Sequence, residues 1–519
     1  MQSSLPILVE NLQFGERDAL HEFIKQDKQG SSILDNAFVD PPRIKMEELR
    51  SGARTFIVGP KGSGKTTLML HLRRQQPEQY SAAVLFKSHI RKEDRDALDK
   101  MIDVIIVEDQ KTFRSEADYK TVWEWYILKN VFRLIPPEAI LSGADVYKDI
   151  TMLLEANNHK FNTIYDKMHI ERVKGAIKLS VDVGALKSEL AAEIEARRSA
   201  EGKMQLLELV RLIISSLRLI TLRSGKAARL YFDELEFFMS EDGDGDRDRR
   251  LVRDLLFSAY NMNNHFSDAK LDITVYASLR SEILGSIKLT TQELGKIIDA
   301  FGVNLNWYNE NVEHHPVLTI FENKMRLSEI EVTGEESDDP LSVYLPDFVG
   351  QKDIRRYLLD AGLHRPRGVL LRLKAAAELA FGKRSIGAPD FISSEASFGE
   401  AMLEEFTEEI SASFDEPSKA AILAMFRGKH YAFTVDDLER RLRDIAVKDK
   451  AAKNLLKNVG INDLVRLLFR VGMIGNQFDI IESEHQKVRD LWGFRGATDP
   501  IFDQRFVLHH SVRKVLVTI

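Results

Sequence analysis

The residues with the clearest chemistry are Gly59-Pro-Lys-Gly-Ser-Gly-Lys-Thr66, which follow the pattern Gly-x-x-x-x-Gly-Lys-[Ser/Thr] of a phosphate-binding loop. Its glycines allow backbone angles at which successive N–H groups point toward a phosphate. Lys65 can reach the β- and γ-phosphates, and the Thr66 hydroxyl can coordinate Mg²⁺. We therefore predict a nucleotide-binding segment that consists of Gly59, Pro60, Lys61, Gly62, Ser63, Gly64, Lys65, Thr66 and Thr67.

The sequence on both sides of this loop supports the prediction. Arg54 to Val58 form an apolar run typical of a buried strand, and Thr67 to Leu72 have a helical pattern. A helix that starts near Lys65 directs its positive end at the same anion. Strand, loop and helix together predict an α/β P-loop NTPase with a parallel sheet, with ATP and Mg²⁺ as its ligands.

A second acidic motif ends another short apolar run, Ala228-Arg-Leu-Tyr-Phe-Asp-Glu-Leu-Glu236. We expect this strand to lie beside the phosphate-loop strand and to carry Asp233 to the Mg²⁺ ion, as a Walker B strand does. Glu234 is then placed to orient or deprotonate the attacking water, a task that Glu236 could share. A rival Walker B segment, Val104 to Asp109, offers Glu108 at the metal position. We favour residues 228–236.

Composition limits the classes of protein. The chain has 519 residues, 44% of them hydrophobic and 29% charged, which predicts several domains of ordinary globular composition. It has no cysteine, which excludes disulfides and thiolate metal sites and suits a reducing cytoplasm. No uninterrupted apolar run is long enough to span a membrane, and the N-terminus has no secretory signal. We therefore expect a cytoplasmic protein without a membrane partner.

Two other motifs resemble known functional sites but depart from their sequence patterns. Asp242-Gly-Asp-Gly-Asp246 resembles a calcium loop, but arginines stand at the turn glycine position and at the position of the bidentate glutamate. Leu141-Ser-Gly-Ala144 imitates the start of an ABC signature, but it lacks the second glycine and precedes the Asp233 motif by a long segment. Neither motif is used to predict a site.

The order of these parts resembles STAND and initiator-type AAA+ ATPases, of the kind found in bacterial anti-phage defence loci. The resemblance implies an AAA+-like parallel sheet in which a polar residue after the next strand senses the γ-phosphate, and Ser278 or Arg280 fits that place. It also implies a helical lid whose arginine reaches the nucleotide, for which Arg365 and Arg367 in His364-Arg-Pro-Arg367 are candidates. Lys65, Glu234 and Arg280 are the catalytic candidates.

Residues 415–519 change to short helices, at Ser418 to Phe426, Thr434 to Leu442 and Ile461 to Val471, followed by apparent strands at Arg505 to His510 and Val512 to Val517. Three helices and a β-wing predict a winged helix. The predicted organisation is a lead-in at 1–53, an ATPase core at 54–144 and 223–330, a helical insertion at 145–222, a helical lid at 341–414 and a winged-helix-like domain at 415–519. The insertion is either a lever or pairing arm, or a set of ordinary packing helices.

Two functions remain open. The first is an ATP-driven switch that assembles with itself or with an effector protein, in which Arg247 to Arg250 and Arg253 could act on a neighbouring subunit. The second is a DNA-binding ATPase that loads or remodels through the C-terminal domain, where basic residues outnumber acidic ones although the whole chain has a net charge of −7. A metabolic kinase is the weaker third class.

Overall fold

The computed structural model describes residues 5–29, 33–76, 79–85, 119–155, 206–235, 245–288, 292–411, 413–482 and 485–517. The rival segment Val104 to Asp109, Glu236, the middle of the predicted insertion and most of the Asp242 loop lie outside the described residues. No helix in the described ranges is both long and apolar enough to cross a membrane.

Within the described residues, a sheet of five parallel strands forms the centre of the ATPase core. Its strands are β1 (Phe56–Gly59), β2 (Tyr80–Leu85), β3 (Ala228–Leu235), β4 (Ile273–Arg280) and β5 (Gly302–Asn304). They lie in the order β2-β3-β4-β1-β5. The predicted parallel sheet is therefore confirmed. The prediction that β3 lies beside β1 is wrong, because β4 is inserted between them.

The apolar strand residues alternate between the two faces of this sheet. Phe56, Val58 and Phe232 pack into one hydrophobic cluster, whereas Ile57 and Tyr231 pack into another. Strands that are buried on both faces read as continuous apolar runs, which is why β1, β3 and β4 are visible in the sequence. Helices cover both faces, so the core has three layers.

The helices of the ATPase region are Ala19–Gln29, Ile33–Asn36, Met46–Arg50, Lys65–Arg74, Lys120–Leu134, Ala144–Glu155, Leu206–Ser216, Gly245–Asp268, Ser281–Lys288, Gln292–Phe301 and Pro316–Thr333. The two described ends of the predicted insertion, Ala144–Glu155 and Leu206–Ser216, bury apolar residues in the same cluster as Phe56 and Phe232. A short antiparallel pair, Ile140–Ser142 with Thr221–Leu222, joins these ends. The described parts of the insertion are thus packed onto the core.

The following segment is helical except for a small hairpin, Phe348–Val349 with Lys352–Asp353. Its helices are Pro340–Tyr344, Ile354–Ala361, Pro366–Leu379, Ala388–Ser393 and Glu395–Ile410. The Pro366–Leu379 helix packs under the sheet with Ile57 and Leu68, whereas Glu395–Ile410 contributes Phe398 and Phe406 to a separate C-terminal core. The segment therefore connects the ATPase core with the C-terminal region.

The described residues of the C-terminal region form four helices, a four-stranded antiparallel sheet and a final helix. The first four helices are Glu416–Ala424, Val435–Ala446, Lys450–Asn458 and Ile461–Val471, and the final helix is His510–Leu516. The strands, in spatial order, are Ala432–Phe433, Arg505–Leu508, Ile474–Glu482 and His485–Leu491. The three predicted helices and the strand at Arg505 are confirmed, while the Lys450–Asn458 helix and the hairpin after Val471 were missed.

The predicted strand from Val512 to Val517 is wrong, because these residues lie largely in the His510–Leu516 helix. The His509 side chain accepts a hydrogen bond from the Ser511 N–H and so caps the helix. Val512 and Leu516 are four residues apart, on one helical face that is buried in the C-terminal core. This tertiary burial overrides the strand propensity of the β-branched residues.

Candidate functional site

The phosphate loop joins β1 to the Lys65–Arg74 helix, and two of its glycines have left-handed backbone angles. Gly62 has φ 74° and Gly64, the N-cap of the helix, has φ 88°. A Cβ atom on Gly62 would lie 2.8 Å from the Cβ of Arg367, so this position tolerates no side chain. The helix N-terminus and the loop amides thereby form an anion site of the predicted type.

The Lys65 side chain lies against this loop. Its Nζ donates to the carbonyl oxygens of Gly59 and Pro60, both at 3.0 Å. Burial lowers the pKa of Lys65 to about 8, although the nearby carboxylates of Glu282 and Asp233 favour its charged form. A buried ammonium group that is held mainly by carbonyls gains strongly from an anionic ligand such as a phosphate.

The Walker B candidate reaches the same cavity although β3 is not next to β1. Asp233 and Ser278 end the neighbouring strands β3 and β4, and the Ser278 hydroxyl donates to Asp233 Oδ1. The same oxygen accepts the Glu234 N–H at 2.8 Å. Thr66, Asp233 and Ser278 all line one cavity. Parallel strands end at one edge of the sheet, so this convergence needs no direct pairing of β1 with β3.

These oxygens fit a magnesium ion that also binds a nucleotide. The described residues contain no group of three or more acidic or histidine side chains arranged to hold a metal. Mg²⁺ usually keeps several waters and takes only one or two protein carboxylates plus phosphate oxygens. Asp233 and Thr66 would supply the protein ligands of such a site.

Glu234 lines this cavity from an unusual backbone position. Its φ is 57°, and the pairing of β3 with β4 shifts register between Phe232 and Leu235. A bulge of this kind redirects a side chain, and left-handed angles at residues other than glycine are concentrated at functional sites. The bulge turns Glu234 out of the buried strand pattern and into the cavity.

Arg280, the last residue of β4, lines the cavity, and Glu282 follows in the first turn of the Ser281–Lys288 helix. Glu282 is 8% exposed, and its Oε1 has no hydrogen-bond partner among the described residues. Its negative charge is the largest electrostatic influence that keeps Lys65 protonated. Sequence analysis missed Glu282 because a single acidic residue at a helix start has no motif; its place two residues after Arg280 was the available signal.

The two candidate arginines of the Pro366–Leu379 helix have different environments. Arg367 lines the cavity, its backbone N–H donates to Gly62 O at 3.3 Å, and its guanidinium lies 3.3 Å from Glu405. Arg365 does not line the cavity: it is buried in an ion pair with Glu409 and donates to Lys61 O at 3.3 Å. Burial raises the pKa of Glu409 to about 7, although Arg365 opposes the shift. Arg367 can contact a phosphate, whereas Arg365 supports the loop from behind.

Two further loop residues are held by distant segments. Ser63 is fully buried, and its carbonyl accepts a hydrogen bond from the indole Nε1 of Trp307 at 2.7 Å. Lys61 forms ion pairs with Glu405, at 3.1 Å, and with Glu408. Trp307 and both glutamates were missed by sequence analysis because the contacts join parts of the chain that are far apart in sequence.

The cavity has a volume of about 260 Å³. Outside the loop it is lined by both apolar and charged side chains, among them Leu34, Phe38, Val39, Pro41, Phe321 and Leu370 together with Glu16, Asp18, Glu22 and Lys324. The Phe38 ring stacks on His71 of the Lys65–Arg74 helix, with ring centroids 3.6 Å apart. A cavity with a phosphate loop on one side and apolar side chains among its lining suits a nucleotide. Residues of the predicted lead-in, 1–53, contribute much of this lining.

Comparison with known proteins supports the class of this site. Residues 45–222 match the family model described as ABC transporter. The match includes the phosphate loop and the Lys65–Arg74 helix but ends before β3, so Asp233 and Glu234 lie outside it. No curated protein matches the chain. Together with the five-stranded parallel sheet, the match supports an ATP-binding P-loop NTPase domain.

Proposed function

We propose that this protein is a Mg²⁺-dependent ATPase that acts as a molecular switch. The observation that carries the proposal is the meeting of four side chains at one cavity, namely Lys65, Thr66, Asp233 and Glu234. Lys65 and the loop amides bind the phosphates, while Thr66 and Asp233 hold the metal. Glu234 accepts a proton from, or orients, the water that attacks the γ-phosphate.

Arg280 and Arg367 complete the site by placing positive charge around the transferred phosphoryl group. Both line the cavity, and both lie close enough to Lys65 to disfavour its charged form. Positive groups that repel each other in a cavity become favourable once a polyphosphate lies between them. Ser278 orients Asp233 and so acts one step away from the reacting atoms.

A phosphate-release assay with purified protein tests the ATPase activity. Wild type should hydrolyse ATP only with Mg²⁺, and Lys65→Ala should abolish both binding and turnover. Lys296, an exposed lysine on the Gln292–Phe301 helix, provides the matched control, and Lys296→Ala should remain active. Equal ATP affinity in Lys65→Ala and wild type would refute the proposed site.

The switch assembles with itself or with an effector protein when ATP is bound. This part of the proposal is supported by the resemblance to STAND and AAA+ ATPases and by the arginines at the start of the Gly245–Asp268 helix. Arg253 pairs with Asp254 at 2.7 Å, and both Arg250 and Arg253 are candidates for acting on a neighbour. If either does so, activity per molecule should rise with protein concentration, and mixing Lys65→Ala with Arg250→Ala or with Arg253→Ala should restore partial turnover.

The biological role that we propose for the switch is anti-phage defence, again on the basis of that resemblance. Cells that carry the wild-type gene should form fewer plaques on phage challenge than cells that carry Lys65→Ala. Equal plaque numbers across a broad phage panel would count against this role but would leave the ATPase assignment intact.

A second candidate function, binding of nucleic acid, is favoured by a basic face in the C-terminal region. Lys450, Lys453 and Lys457 are exposed on one face of the Lys450–Asn458 helix, and Lys448 lies just before it. The ion pairs found between described residues include none with these lysines. Such a face suits the phosphate backbone of a duplex. Replacing the three helical lysines with glutamine should weaken duplex binding and reduce its salt dependence.

A further inference from the structure

The helix Glu395–Ile410, here called the acidic helix, carries several glutamates and no basic residue. Glu405, Glu408 and Glu409 lie three and four residues apart, so they project from one face. That face meets the phosphate loop and the start of the Pro366–Leu379 helix. Carboxylates therefore converge on the same loop that is built to bind phosphate.

On this face, Glu405 and Glu408 pair with cations that line the nucleotide cavity, and Glu405 also pairs with Arg17 at 2.8 Å. Glu405 Oε2 lies 3.1 Å from Lys61 Nζ and 3.3 Å from Arg367 Nη1. Glu408 forms a second ion pair with Lys61. Lys61, Arg367 and Glu408 all line the cavity. Two positive side chains at the phosphate end are thus neutralised by a helix from another part of the chain.

The Lys61–Glu405 ion pair is well shielded from water, whereas the Lys61–Glu408 pair is partly exposed. The side chains of Lys61 and Glu405 are only 6% and 8% exposed, whereas that of Glu408 is 54% exposed. Burial alone would raise the pKa of Glu405, but Arg367, Lys61 and Arg17 outweigh it and hold the pKa at about 2. Glu405 therefore remains an anion at every physiological pH, so its hold on the two cations does not depend on acidity.

We propose that Glu405 and Glu408 act as an internal phosphate mimic, holding the acidic helix against the phosphate loop until a bound polyphosphate competes for Lys61 and Arg367. This inference rests on the proposed nucleotide site and concerns its regulation. Triphosphate oxygens carry more charge than the carboxylates and bind the same lysine and guanidinium donors. Nucleotide binding and docking of the acidic helix therefore oppose each other.

The acidic helix links this competition to the C-terminal region, because the two share a hydrophobic core. Its Phe398 and Phe406 pack in the same core as Val512 and Leu516 of the final helix. A Cβ atom on Gly399 would lie 2.8 Å from the Ser511 carbonyl oxygen, so the two helices approach closely. Displacement of the acidic helix must therefore move or loosen the C-terminal region, which could expose its surfaces to a partner.

Hydrogen exchange of peptides from residues 395–410, together with nucleotide affinity, tests the proposal. A non-hydrolysable ATP analogue with Mg²⁺ should raise exchange of the acidic helix in wild type. Tripolyphosphate should do the same, whereas adenosine should not, because only the phosphates compete with the carboxylates. Glu408→Gln should bind the analogue about threefold to fivefold more tightly, the scale of one partly exposed ion pair.

Glu400→Gln is the matched control, since Glu400 is an exposed glutamate on the same helix and belongs to no ion pair found between described residues. Its affinity and exchange should equal those of wild type. Glu405→Gln combined with Glu408→Gln should have a larger effect, and a melting curve will show whether this double variant folds. If the double variant does not fold, Glu408→Gln remains informative because it keeps the buried ion pairs of Glu405.

The outcomes are distinct. Unchanged exchange in wild type saturated with analogue, with equal affinity in Glu408→Gln, would overturn the phosphate mimic while leaving the nucleotide site intact. Absence of analogue binding by both wild type and Glu408→Gln would overturn the proposed function, and the inference with it.

Discussion

The Ser278 hydroxyl donates a hydrogen bond to Oδ1 of Asp233, across the ends of the neighbouring strands β4 and β3. Asp233 is thereby held by the strand that separates it from the phosphate-loop strand. With the Glu234 N–H bonded to the same oxygen, Oδ2 is the atom best placed for a metal ion. Ser278, which the sequence predicts as a γ-phosphate sensor, thus also contacts the carboxylate of the proposed Walker B motif.

Glu234→Gln should bind ATP normally but hydrolyse it about 10²- to 10⁴-fold more slowly, because the amide keeps the size of the side chain and loses the base. Asp233→Asn should instead weaken Mg²⁺-dependent binding. Single-turnover hydrolysis and nucleotide titrations with and without Mg²⁺ distinguish the two effects. If Glu108→Gln stops turnover and Glu234→Gln does not, the rival segment Val104 to Asp109 is the Walker B strand.

ATP binding should take up a proton above about pH 8. Burial lowers the pKa of Lys65 to about 8, so the free site loses its positive charge as the pH rises through that value. A bound phosphate stabilises the ammonium and raises its pKa, which requires protonation on binding. Calorimetry at pH 8.5 in buffers of different ionisation enthalpy measures this uptake. Lys65→Arg stays charged at this pH, so residue 65 should take up no proton when this variant binds ATP.

Arg365→Ala and Arg367→Ala should have different effects. Removing Arg365 leaves the buried Glu409 without its countercharge and should cost about 3–5 kcal/mol of stability. The loss should grow as the pH rises, because ionised Glu409 then has no partner. Arg367→Ala should reduce ATP affinity with a smaller change in melting temperature. Equal melting curves for the two variants would contradict this division.

Trp307→Phe should weaken nucleotide binding without leaving a large cavity in the core. Phenylalanine keeps most of the ring but cannot donate to the Ser63 carbonyl, a bond worth about 1 kcal/mol. ATP affinity should therefore fall several-fold because the loop is less well positioned. Trp492, which is buried in the C-terminal region and stacks on Phe494, provides the control, and Trp492→Phe should leave ATP affinity unchanged. Equal ATP affinity in wild type, Trp307→Phe and Trp492→Phe would show that Trp307 does not position the loop.

The sequence by itself determined the elements whose geometry is local. The phosphate loop requires glycines at particular consecutive positions, and Gly62 and Gly64 adopt the left-handed angles that this requirement implies. The buried strands before the loop and before Asp233 were visible as apolar runs because a parallel sheet buries both faces. Local patterns also identified three C-terminal helices, but they misassigned Val512 to Val517, where burial of one helical face decides the structure.

Only the tertiary structure decided which distant residues meet. The insertion of β4 between β1 and β3 depends on how whole strands pair, and no local pattern specifies that order. The same holds for the separation of Arg365 from Arg367 and for the pairing of Lys61 with Glu405. Such contacts depend on how helices hundreds of residues apart pack onto a common core. The free energy of that packing is distributed over many apolar side chains rather than encoded in a short motif.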